Sequence, residues 1–140
     1  MAANRGELAL SFHHRGYNCA QSVLASFGDR TGLSEREALA IAAGFGKGIG
    51  SGEELCGAFG GAVMVLGLME YHSGREPAEE KKRMYQLTCA LEERFRQRFG
   101  MLRCNELLEA NRGPERPCGA LITAAVDLTE EFINTMEKSV

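Results

Sequence analysis

The chain has 140 residues, 44% hydrophobic and 25% charged, with a formal net charge of −3. That length suits a single domain with a modest core, and the composition is that of a soluble globular protein. The slightly acidic balance leaves no basic footprint for nucleic acid. The longest apolar run, Ala62 to Met69, is far short of the ~20 residues that span a bilayer. No positively charged N-terminal stretch leads into an apolar region as a secretory signal would. The expectation is a cytoplasmic protein with neither a membrane nor a nucleic-acid partner.

Proline is scarce, β-branched residues do not alternate with polar ones, and apolar residues recur three and four apart, which predicts an all-α, single-domain bundle of about six helices. A first helix is expected over Arg5 to His14, with Leu8, Phe12 and Leu10 inward, ended by Gly16. Asn18 is placed to cap a second, Cys19 to about Phe27, with Ala20, Val23, Leu24 and Phe27 on its apolar face. Gly28 to Gly32 reads as a turn. Ser34 and Glu37 have capping-box spacing at the start of a third helix, Glu35 to about Ala43, facing the core with Leu39, Ala42 and Ala43.

A glycine loop follows, with Gly44, Gly46, Gly48, Gly50 and Gly52 at alternate positions. It leads into a central buried helix from about Leu55 to Tyr71. Gly57, Gly60, Gly61 and Ala62 leave the first turns of that helix without bulk, although each glycine costs ~1 kcal/mol against alanine in a helix. Close approach of another backbone or of a cofactor is the expected compensation. Pro77 suits the first turn of a long helix, Ala78 to Phe99, with a buried stripe of Met84, Leu87, Leu91, Phe95 and Phe99 and a stop at Gly100. Its runs Glu79–Arg83 and Glu92–Arg98 read as solvated faces. A brief helix is expected over Cys104 to Ala110, then a turn at Asn111–Pro114. A last helix runs from Cys118 to about Lys138, with Leu121, Ile122, Ala125, Leu128, Phe132 and Met136 on one face.

Five cysteines in a chain without a secretion signal point to metal binding or redox work before structural disulfides. They stand at 19, 56, 89, 104 and 118, and no two form a CxxC pair, so any cluster is assembled by the fold. Cys19, Cys56, Cys104 and Cys118 each fall at or beside the predicted first turn of a helix, where unpaired N–H groups and the helix dipole favour thiolate. Cys89 lies in mid-helix and reads as a small core or boundary residue. Taken singly, each thiol is better read as a small buried hydrophobe, and it is four of them at helix starts, one at a glycine loop, that reverse the balance.

GYNCAQSVL (Gly16–Leu24), the Gly44–Gly52 run with LCGAFGGAVMVLG (Leu55–Gly67), RFGMLRCNELL (Arg98–Leu108) and a late Cys118 together resemble the C_GCAxxG_C_C family over about Gly16 to Cys118. By position, the family's cysteines correspond to Cys19, Cys56, Cys104 and Cys118, and Cys89 matches none. The family's central glycine–cysteine pair is Leu55–Cys56 here, with Gly57 after the cysteine, and Cys118 is followed by Gly119 where members often carry proline. The resemblance implies redox or metal chemistry. Related domains occur joined to cytochrome-type electron-transfer modules, which implies that an iron–sulfur centre can be accommodated.

Three or four converging thiolates could hold an iron–sulfur cluster or a zinc ion. Alternatively two could cycle between dithiol and disulfide, with Cys56 attacking and another resolving. Gly46, Gly48 and Gly50 would expose N–H groups to a cluster or thiolate. The run lacks the Walker pattern of a phosphate loop, and a plain connection between helices fits it too. His13 and His14 precede Cys19 and could activate a thiol, but adjacent histidines at a helix end suit solvent. An unidentified redox partner protein is expected. A non-enzymatic alternative is a binding or assembly module with structural cysteines, its small-residue helix surface serving a helix contact inside the chain or in a homo-oligomer.

Overall fold

The computed structural model describes residues 4–100, 102 and 117–138. Among these the chain is helical and contains no strand: α1 Arg5–His14, α2 Cys19–Ser26, α3 Gly28–Thr31, α4 Glu35–Ile41, a single π turn at Gly48–Gly52, α5 Gly57–Glu70, α6 Pro77–Phe99 and α7 Pro117–Lys138. The expectation of about six helices becomes eight helical segments among the described residues. The stretch expected as a turn closes one helical turn of its own at α3, and the glycine loop winds into the π turn. The predicted helix over Cys104 to Ala110 and the turn after it lie outside the described residues.

Local chemistry accounts for the boundaries. Asn18 Oδ1 accepts from Gln21 N–H while Gln21 Oε1 accepts from Asn18 N–H, and Ser34 with Glu37 makes the same reciprocal capping box on α4. Asn4 caps α1, Glu76 caps α6 with Pro77 in its first turn, and Gly100 closes α6 in a left-handed conformation at φ 84°.

The helix directions follow from contacts. A β-carbon on Gly61 of α5 would lie 2.9 Å from both Ala20 O and Val23 Cβ of α2, and one on Gly57 would overlap Cys19 Sγ. Helices α2 and α5 therefore run side by side in the same direction, backbone against backbone. Gly6 faces Thr123 and Leu10 faces Gly119, so α7 runs antiparallel to α1, and therefore parallel to α2. Phe59 and Phe95 meet edge-on at 4.9 Å between centroids, and α6 returns along α5 to where Leu102 O accepts from Cys56 N–H at 2.6 Å. The first turns of α2, α5 and α7 thus share one end of the bundle.

The core sits between these helices, with Phe27, Phe95, Leu24, Leu66, Leu91 and Ile122 fully buried. Each such side chain contributes about 2 kcal/mol of transfer free energy. Two expected faces are corrected. In α1 the inward residues are Gly6, Ala9 and Phe12, while Leu8 is 40% exposed. Close approach of α7 selects small side chains there and turns the leucine outward. In α4, Ala38 and Ala42 are buried but Ala43 is exposed, because the helix ends at Ile41 and the chain turns away.

The charged run at the start of α6 is not wholly solvated. Glu80 is 1% exposed, accepting from His72 N–H at 2.7 Å and from Arg83 Nε at 2.9 Å. Arg83 also donates to Glu70 O, which ties the end of α5 to α6. Hydrogen bonding to Arg83, against the cost of burial, lowers the Glu80 pKa to about 2. No helix among the described residues is long and apolar enough to cross a membrane.

Candidate thiol site at the shared helix starts

Cys19 is the first residue of α2 and Cys56 is the N-cap of α5. Both therefore stand where unpaired N–H groups and the positive end of a helix dipole collect. Cys19 is half-buried and Cys56 is 5% exposed. The two meet through Gly57: Cys19 Sγ occupies the space a β-carbon would take on the residue that follows Cys56. Cys19 consequently faces the start of α5 while standing in the first turn of its own helix.

The glycine loop lies across this junction. Its Phe45 O and Gly46 Cα would stand 2.9 and 3.1 Å from a β-carbon on Gly57, and Gly46 is itself closed under the Asn18 side chain. Beyond it, Lys47, Gly48, Ile49 and Gly50 have φ of 54°, 59°, 55° and 80°, a left-handed turn four residues long. Left-handed backbone costs a residue with a β-carbon about 1–2 kcal/mol. Alternating glycines confine that cost to Lys47 and Ile49. Of the glycines expected to bind a cofactor, Gly46 packs on Asn18, Gly48 is buried within the turn, and Gly50 is exposed with nothing within 4 Å of its β-position. Around the loop, Ile41, Phe45, Ile49 and Leu55 leave large apolar side chains exposed.

Cys118 stands second in α7, with only its backbone described, at the end of the bundle that carries Cys19 and Cys56. Cys104 lies outside the described residues. Among the described residues no three His, Cys, Asp or Glu side chains come together as a metal site. A centre with four ligands therefore requires Cys104 and Cys118 as well as the described pair. Cys89 is exposed, on the side of α6 away from Leu91 and Phe95, which corrects its reading as a small core or boundary residue. His13 Nδ1 lies 3.2 Å from Tyr17 O, where only a protonated nitrogen can hydrogen-bond, and His14 is exposed.

Two residues of this neighbourhood escape a reading that looks for thiols and glycines. Gln21 completes the Asn18 cap and also donates from Nε2 to Leu39 O at 2.9 Å. Asn18 donates from Nδ2 to Ala43 O at 3.0 Å. The signal for them is the spacing Asn18–x–x–Gln21 around the cysteine, a reciprocal cap written with two amides.

A comparison with protein-family models matches residues 17–132 to the family described as "Putative redox-active protein (C_GCAxxG_C_C)". No curated protein and no solved structure matches the chain.

Proposed function

The chain belongs to the C_GCAxxG_C_C family, and from that premise we propose that it is a redox protein working through thiols at the common end of α2, α5 and α7. The observation that carries this reading is the seat of Cys19 Sγ against Gly57, beside Cys56, where two helices begin together. A helix start is a place where a thiol can serve as attacking group or as ligand.

In the fuller form of the proposal, Cys19, Cys56, Cys104 and Cys118 hold an iron–sulfur cluster or a zinc ion. The donor set fits. Cys19 Sγ rests on Gly57, the residue after Cys56, and Cys118 stands in the first turn of a helix at the same end; Cys104 lies outside the described residues. An iron–sulfur centre would supply one-electron transfer to a partner redox protein. The chain's own part is to present deprotonated thiolates, and the glycine loop's part is to limit water at them.

A second reading rests on the same pair. Cys19 and Cys56 would cycle as dithiol and disulfide: the Cys19 thiolate attacks a partner protein's disulfide, one partner sulfur leaves as thiolate, and Cys56 then displaces the second as the intramolecular S–S bond closes. Two electrons pass to the partner, which ends as a dithiol after taking up two protons. These roles exchange the sequence expectation of Cys56 as attacking thiol, and they are supported by burial, since Cys56 is the less exposed of the two.

The deciding experiment measures iron, zinc and acid-labile sulfide per chain on protein purified without oxygen. Iron with matching sulfide, lost on serine replacement of Cys19 or Cys56, is the expected outcome for a cluster. No metal but a pair that closes reversibly under a disulfide reagent favours the dithiol. Joint serine replacement of Cys19, Cys56, Cys104 and Cys118 that leaves metal content and thiol redox behaviour unchanged refutes both, and leaves a binding or assembly module with structural cysteines.

A further inference from the structure

Asn18 does more than a helix cap requires. Its Oδ1 accepts from Gln21 N–H at 2.8 Å, which completes the cap, and a serine or aspartate would serve there as well. Its Nδ2 donates to Ala43 O, a bond that only an amide can add while also capping. Gln21 Nε2 donates in the same way to Leu39 O. Two amides on the first turn of α2 therefore hold carbonyls at the C-terminal end of α4, where intrahelical partners run out.

The chain leaving α4 is laid down by that hold. Gly46 sits under the Asn18 side chain, Phe45 O and Gly46 Cα sit on Gly57, and Gly57 sits on Cys19 Sγ. Residues 18, 46, 57 and 19 close a ring of contacts, and Cys56, the residue before Gly57, is 5% exposed. We infer that Asn18 is a positioning residue for the thiol site, whose bond to Ala43 O latches the Phe45–Gly46 backbone over the start of α5 and so governs access to Cys56. The purpose of the latch rests on the thiol reading above, whereas its measurement does not. In the redox cycle, a closed latch keeps Cys56 from solvent thiols and oxidants until the loop lifts.

The test is thiol labelling of the full-length reduced protein with iodoacetamide, read by tryptic peptide. Peptide 16–30 carries Cys19, 48–75 carries Cys56, and 84–94 carries the exposed Cys89 as an internal reference. Asn18→Ser keeps the cap and removes the latch. It is expected to raise the Cys56-to-Cys89 labelling ratio about fivefold, the factor for a lost hydrogen bond of ~1 kcal/mol. Helicity and the pH midpoint of Cys19 labelling should stay as in the parent protein, which separates the latch from a general loosening. Gly46→Ala, which forces the Asn18 side chain aside from below, should raise the same ratio and serves as the deciding variant if Asn18→Ser does not fold. An unchanged ratio in the folded variant, or a Cys56 that already labels as fast as Cys89 in the parent, overturns the inference. Failure of the redox reading would appear instead in the metal and thiol measurements, with the ratio unaffected.

Discussion

Gly61 and Gly67 lie in the same helix, and the fold predicts opposite outcomes for the same substitution at each. A β-carbon on Gly61 would stand 2.9 Å from Ala20 O and from Val23 Cβ, closer than van der Waals contact permits, and one of those atoms is backbone. A β-carbon on Gly67 meets nothing within 4 Å. Overpacking costs about 1–3 kcal/mol, and about 2–3 kcal/mol where the crowded atom is backbone and yields little, against a helix-propensity gain of about 1 kcal/mol for alanine. Gly61→Ala should therefore destabilise by about 1–2 kcal/mol, and Gly67→Ala should stabilise by about 0.5–1 kcal/mol. At ~3 °C per kcal/mol for a chain of this size, Tm should fall by ~3–6 °C in the first and rise by ~2–3 °C in the second. Thermal melting followed by far-UV circular dichroism, with urea titration to check that m is unchanged, gives both numbers. A Gly61→Ala protein that melts at or above the parent would show that α2 and α5 are not in backbone contact. The seat of Cys19 against Gly57 would then lose its support as well.

Two electrostatic ties give further predictions. Arg5 donates to Glu130 Oε2 at 2.7 Å, to Ser26 O at 2.6 Å and to both Asp29 oxygens, and its guanidinium lies 4.4 Å from the Phe27 ring centre. Its hydrogen bond to Asp29 holds that carboxyl below the usual 3.8. Arg5→Ala should cost about 2 kcal/mol in urea unfolding, and Arg5→Lys should recover only part, since an ammonium cannot make the forked contact; full recovery by lysine would refute the bidentate role. Glu80 has a folded pKa of about 2 against an ordinary 4.5, so its ionised form stabilises the fold above the ordinary value and that contribution is lost as pH falls towards 2. Glu80→Gln should melt lower at pH 7 yet show a flatter Tm profile between pH 4.5 and 2. An unchanged slope in that window would mean that other carboxylates set the acid limit.

Much of this architecture could be read in particular residues. Asn18 before Cys19, Ser34 with Glu37, Pro77 and Gly100 each carry local chemistry that starts or stops a helix, and the boundaries fall within a few residues of those marks. Periodicity placed Val23, Leu24, Phe27, Leu91, Phe95 and Ile122 inward, as found. It failed for Leu8 and Ala43. A hydrophobic pattern reports which side of a helix can be buried, but neighbour spacing decides which side is, and α7 packs on the Gly6–Leu10 side of α1, leaving Leu8 outside. Glu80 misled for the same kind of reason, since a charge is buried when the partners that satisfy it come from elsewhere in the chain.

For the thiols the division is sharper. Sequence by itself determined an all-α chain, a glycine loop before a buried helix, and cysteines at helix starts, because capping, propensity and periodicity act over a few residues. Tertiary structure alone decided that α2 and α5 run parallel in backbone contact, that Cys19 rests on Gly57, that among the described thiols Cys56 is buried and Cys89 exposed, and that Asn18 reaches Ala43. Those facts depend on which helix lies beside which and at what distance. That is set by the packing of the whole core, and no window of sequence contains it.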